Sequence, residues 1–114
     1  MSDTALMSEQ FNTYMTYLRK EKNTSDNTLQ AYRRDISKFL DYVAENDLDS
    51  FEAVTEADMA AYKGSLISSG LSVATVCRSL SALRSMYQYL MSKDIVSHNP
   101  AREVHNDKIE KKGP

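Results

Sequence analysis

From Val73 to Leu90 the chain repeats apolar residues at steps of three and four: Val73, Val76, Leu80, Leu83, Tyr87 and Leu90. Residues spaced this way share one face of an α-helix, and the stripe runs for about five turns. Three glycines and two prolines in 114 residues leave few breaks, which favours long helices over many short strands. We therefore expect an all-α bundle of four main helices, with room for a short fifth near the C-terminus. A chain of this length is most simply one domain, and folding buries about two-thirds of its surface around a single core.

The first helix is expected from about Thr4 to Glu21, with Leu6, Phe11, Tyr14, Met15 and Leu18 as its stripe; Lys20-Glu21-Lys22-Asn23 reads as a loop. Ser25 is a good N-cap for the second helix, and Asp26 sits well at the positive end of its dipole. Leu29, Tyr32, Ile36, Phe39, Leu40 and Val43 line one face, and the helix is expected to close at Glu45-Asn46, with asparagine as a left-handed cap. Leu48, Phe51 and Val54 should pin the following loop to the core. Thr55-Glu56-Ala57-Asp58 resembles a capping box with aspartate in the return position. In the third helix Met59, Tyr62, Leu66 and Ile67 are expected to face inward, and Gly70 to end it. Ser72 caps the fourth helix, which should end around Lys93-Asp94. Asn99-Pro100 reads as a fresh cap with proline at the first helical position. Asp107 to Pro114 are charged and lack apolar periodicity, as in a linker or frayed tail leading into something longer.

No set of catalytic groups emerges. Cys77, on an apolar face, reads as a small core residue, and one cysteine builds neither a disulfide nor a zinc module. His98 and His105 lie seven apart across a proline, which is no ligand spacing on one helix face; both read as exposed linker residues. The glycines Gly64, Gly70 and Gly113 form no phosphate-cradling loop. Tyr14, Tyr32, Tyr62 and Tyr87 fall on apolar stripes and read as core, whereas Tyr89 falls off the stripe and reads as exposed. No cofactor or metal is expected. Apolar runs are far shorter than the roughly 18 residues of a membrane span, and Met1-Ser2-Asp3-Thr4 does not open a signal peptide. A cytoplasmic protein without a membrane partner is the expectation.

Charge is unevenly placed. The net charge of −2 is unusual for a nucleic-acid binder. From Asp41 to Asp58 there are seven acids and no base; from Met59 to Lys93 there are four bases and no acid; from Arg19 to Lys38 six bases outnumber three acids. Local potential steers a partner more than the sum does. Opposite the apolar stripe of the fourth helix lie Ala74, Arg78, Ser81 and Ser85, flanked by Thr75 and Ser79 on one side and Arg84 and Gln88 on the other. On the second helix Asn27, Gln30, Arg34 and Lys38 form a matching stripe, with Arg33 on its shoulder and Thr24, Ser25 and Thr28 at the helix start. Such faces can donate to phosphates or base edges. The same residues could instead simply solvate two surface helices.

Asn27-Thr28-Leu29-Gln30-Ala31-Tyr32-Arg33-Arg34-Asp35-Ile36, followed about 45 residues later by Ala74-Thr75-Val76-Cys77-Arg78-Ser79-Leu80-Ser81-Ala82-Leu83-Arg84-Ser85-Met86-Tyr87-Gln88-Tyr89-Leu90, resembles the N-terminal core-binding domain of tyrosine recombinases, especially Xer-type recombinases and phage or transposon integrases. Asn99-Pro100-Ala101 is similar to the place where that domain runs into its linker. The likeness covers about Ser8 to Val104.

The resemblance implies a SAM-like bundle of four or five helices. Its second and fourth helices cross the major groove of double-stranded DNA, and together with the catalytic domain they clamp the duplex. It implies DNA contacts at Ser25, Asn27, Thr28, Gln30, Arg33 and Arg34, and at Thr75, Arg78, Ser79, Ser81 and Arg84. It divides the chain into a core-binding domain over residues 1–104 and an interdomain linker over 105–114, leading to a catalytic domain that this sequence does not contain, so the fragment should not cleave strands. Further implied partners are that catalytic domain and other recombinase protomers in a synaptic tetramer, which the first helix would touch. Two other classes stay open. One is a helical protein-interaction module. The other is a small helix-turn-helix regulator, for which Gly70-Leu71 would be the short turn.

Overall fold

A computed structural model describes residues 4–102 as four α-helices, α1 (Thr4–Lys20), α2 (Asp26–Glu45), α3 (Glu56–Ser68) and α4 (Val73–Ser92), with no strand among the described residues. The all-α bundle expected from periodicity is the fold that forms. The expected linker at 105–114, and His105 within it, lie outside the described residues.

Local chemistry sets the helix starts. Ser25 Oγ accepts from the Thr28 amide at 3.3 Å, and Ser72 Oγ accepts from the Thr75 amide at 3.2 Å. Thr55 and Asp58 complete the capping box, with the Asp58 amide donating to Thr55 Oγ1 at 3.1 Å and the Thr55 amide donating to Asp58 Oδ2 at 2.9 Å. After each helix one residue takes positive φ: Asn23 at 55°, Asp47 at 59°, Gly70 at 85° and Asp94 at 60°. Asparagine and aspartate tolerate this left-handed step better than other side-chain-bearing residues. At the end of α2 the step falls on Asp47. Asn46 has φ −104°, and its Nδ2 donates to the Tyr42 carbonyl at 2.8 Å.

α4 packs against all three other helices, and α1 also packs against α2. Val76, Leu80, Leu83, Tyr87 and Leu90 from α4 are buried with Tyr14, Ile36, Phe39, Met59 and Tyr62. Phe51 and Val54 are buried and Leu48 half-buried, so the α2–α3 loop is pinned as expected.

Several expectations at the stripe edges fail. In α1 Met7 is buried and Leu6 is 48% exposed, because Met7 rather than Leu6 stands one turn before Phe11. Ile67 and Val73, at the end of α3 and the start of α4, are exposed. Tyr32 is only half-buried. Tyr89 is buried after all, its ring centroid 4.6 Å from that of Tyr17 and 5.3 Å from that of Tyr14. Its partners come from α1, which the α4 pattern alone does not reveal. Cys77 is half-buried against the core.

His98 is not an exposed linker residue either. It is half-buried, and Nε2 lies 2.8 Å from the Val54 carbonyl. A carbonyl only accepts, so Nε2 carries the hydrogen. Nearby, the Ser97 amide donates to Glu52 Oε1 at 2.7 Å, and Asn99 Nδ2 donates to the Arg84 carbonyl at 3.2 Å. Asn99 Oδ1 accepts from the Ala101 amide at 3.1 Å, so the expected Asn99 cap forms over a turn.

Candidate nucleic-acid interface

The polar stripes of α2 and α4 adjoin at one seam. Arg78 Nε donates to Asp35 Oδ2 at 2.8 Å, and Nη2 donates to Oδ1 at 3.0 Å. The Arg78 side chain is 40% exposed and that of Asp35 only 6%. Hydrogen bonding to Asp35 raises the Arg78 pKa further, against the opposing effect of burial, so the guanidinium is permanently charged. On α2, Arg34 immediately precedes Asp35 and Lys38 stands one turn beyond it; both are exposed.

Beyond this pair, Ser81, Arg84, Ser85 and Gln88 of α4 line a groove with Lys22 from the α1–α2 turn. Tyr14 anchors the seam from below, its hydroxyl donating to Ser85 Oγ at 2.8 Å. Burial pushes the Tyr14 pKa up to about 12, chiefly by desolvating the phenolate, so the hydroxyl stays a donor at neutral pH.

Not all expected residues gather here. Arg33 turns toward α1, its guanidinium carbon 5.8 Å from the centre of the Phe11 ring. With Gln30 and Arg19 it lines a second groove, between α1 and α2. Asn27 is exposed on the α2 stripe; Ser25 and Thr28 are exposed but hydrogen-bonded to each other at 3.1 Å, and half-buried Thr75 accepts from Ser72 Oγ at 3.0 Å. Ser79 departs from the expectation outright. It is 2% exposed because it lies between Val76 and Leu83 on the core side of α4, and its hydroxyl does not reach the surface.

Asp41 and Glu45 continue the α2 stripe one and two turns beyond Lys38, but the loop part of the acidic stretch lies elsewhere. Its Phe51 carbonyl accepts from the Tyr87 hydroxyl at 2.8 Å. Tyr87 and Ser85 are two residues apart, about 160° around the helix, so the acidic loop and the polar stripe occupy different sides of α4. A net charge of −2 is therefore compatible with a basic face.

Sequence reasoning overlooked Asp35 and Lys22. The signal for Asp35 was available: it borders the apolar stripe beside Ile36 and one turn before Phe39, where a carboxylate needs a partner. Lys22 carried no signal, because its role depends on where the turn after α1 falls.

No cluster of histidine, cysteine and acidic residues suited to a metal ion exists among the described residues, and no helix there is long and apolar enough to cross a membrane. Fold and surface define a small all-α module in which α4 meets α2 at the Asp35–Arg78 pair and borders a polar groove beside α1. The chain belongs to the phage integrase N-terminal SAM-like domain family, which matches residues 11–94. It is 31% identical over 102 residues to the tyrosine recombinase XerD of Oceanobacillus iheyensis, covering 89% of this chain and 34% of that protein. It is 35% identical over 95 residues to the tyrosine recombinase XerC of Listeria welshimeri, covering 83% and 32%. With the tyrosine recombinase XerC of Pseudomonas syringae pv. tomato it shares 32% identity over 108 residues, covering 95% and 36%. The chain thus spans about a third of the length of these curated relatives. No solved structure matches it.

Proposed function

We propose that this chain is the DNA-gripping part of a site-specific tyrosine recombinase, laying the polar faces of α2 and α4 on duplex DNA at a recombination half-site. The observation that carries this reading is the junction of the two faces at Asp35–Arg78, with the acidic loop tied to another side of α4. Arg34, Lys38, Arg84 and Lys22 would neutralise phosphates, Arg78 would face the duplex between them, and the small side chains Ala74, Ser81 and Ser85 would let the α4 axis come close. Ser25, Asn27, Thr28, Gln30 and Thr75 would contact the backbone around the two helix starts, and Arg33 would reach it from the α1 side. In this reading residues 1–104 bind, residues 105–114 lead to a separate catalytic domain, and strand exchange is performed there with other protomers of a synaptic tetramer, in the cytoplasm.

The test is an amide-shift titration with a random-sequence duplex at low ionic strength. We expect shifts confined to residues 22–38 and 74–88. Affinity should fall in the range of about 10⁻⁴ to 10⁻⁶ M and decline steeply with salt. Shifts nowhere, or only at the C-terminal end, would refute it.

A further inference from the structure

We propose that Arg78, with Asp35 as its positioning residue, reads a guanine in the DNA major groove; this rests on the DNA-binding reading above. A guanidinium has five N–H groups in one plane, arranged along two usable edges. Asp35 occupies the edge formed by Nε and Nη2, at 2.8 and 3.0 Å. The end-on edge, one N–H from each Nη, stays whole and meets no acceptor among the described residues. The carboxylate is buried and the arginine side chain 40% exposed, so one edge of the fork is clamped on a side chain that still meets solvent.

A phosphate contact needs the charge but not a fixed plane, and a free surface arginine supplies it equally well. A fixed plane matters where two acceptors lie side by side. Guanine presents N7 and O6 in that arrangement in the major groove; adenine offers one acceptor beside a donor. Holding the fork in the folded protein also removes rotamer freedom that would otherwise be lost on binding. The exposed Ala74 and half-exposed Ser81, one turn to either side on α4, leave the fork unobstructed by bulk.

The experiment enriches a random duplex pool at low salt on the whole chain, on Arg78→Lys and on Asp35→Asn, with helicity of each checked by circular dichroism. The unaltered chain should enrich guanine at one position. Arg78→Lys, which keeps the charge but has no fork, should bind without that preference, and Asp35→Asn should weaken the preference more than the total binding. The preferred guanine is then replaced by 7-deazaguanine, which lacks the N7 acceptor. Affinity of the unaltered chain should drop roughly 5- to 100-fold, while Arg78→Lys should be indifferent. The deazaguanine arm stands alone if a variant fails to fold. A pool with no guanine preference, an unchanged preference in Arg78→Lys, or no cost from 7-deazaguanine would each overturn the assignment while leaving DNA binding intact. Retention of no duplex at all would overturn the DNA-binding reading and this one together.

Discussion

On α4, the Tyr87 side and the Arg78–Gln88 side use their polar groups differently. Toward the Phe51 loop the chain satisfies itself: the Tyr87 hydroxyl donates to the Phe51 carbonyl, the Ser97 amide and hydroxyl both donate to the Glu52 carboxylate, and Asn99 bonds the Arg84 carbonyl. Toward the α2 seam Arg78 gives one edge to Asp35 and keeps the other open, with Gln88 exposed and Ser81 half-exposed. One helix thus separates two tasks by direction. Groups that close on each other hold the C-terminal exit against the core, and groups left partly open are available to a ligand. The contrast also shows why charge totals mislead here, since Glu52 of the acidic loop is spent on the self-satisfied side.

Leu80→Ala should break both sides at once. Its side chain is fully buried in α4, and truncation should cost about 2–5 kcal/mol, read as a fall in thermal and denaturant midpoints. Arg78→Ala should come next, and on one side only. It strands the buried Asp35 carboxylate, at a cost of about 1–3 kcal/mol; the guanidinium is partly in water, so the value falls short of that for a fully buried pair. The double change Asp35→Leu with Arg78→Met should recover much of that stability yet leave DNA binding impaired. A double variant that binds DNA like the parent would show the pair to be packing alone.

Tyr87→Phe should do the reverse. Losing the hydroxyl from the Phe51 carbonyl should cost about 1 kcal/mol of stability without moving DNA affinity. An affinity change would mean that the two sides of α4 are coupled. The smallest effect concerns acid. Ser97, through its hydroxyl and then its amide, holds the Glu52 pKa below the ordinary 4.5. A carboxylate whose folded value is depressed adds stability above its unfolded value, and loses it as the pH falls from about 4.5 through the lowered one. Glu52→Gln should therefore remove a small part of the acid sensitivity in that window, measured by urea midpoints across pH, and change nothing at pH 7.

Much of the fold was legible because it is local. The Ser25, Thr55 and Ser72 caps and the left-handed Gly70 involve residues within one turn of each other, and all four stand where the sequence puts them. Most of the α2 and α4 stripes are buried as spaced. The candidate surface was legible in outline: Asn27, Gln30, Arg34 and Lys38 are exposed on one helix, Ser85 and Gln88 on the other. The errors lie at the borders of stripes, where a residue points neither at the core nor away from it. Leu6 and Tyr89 exchanged their expected exposures for this reason, and Ser79 and His98 went inward.

The sequence by itself determined where the helices start, stop and turn their apolar sides, because hydrogen bonds and periodicity operate over three or four residues. Only the tertiary structure decided which border groups are enclosed. Asp35 meets Arg78 across 43 residues of chain, Glu52 meets Ser97 across 45, and Tyr14 meets Ser85 across 71. Whether a polar side chain at such a border faces water or a partner depends on which helix lies beside it. That is settled by packing the whole bundle, and no short stretch of sequence contains it.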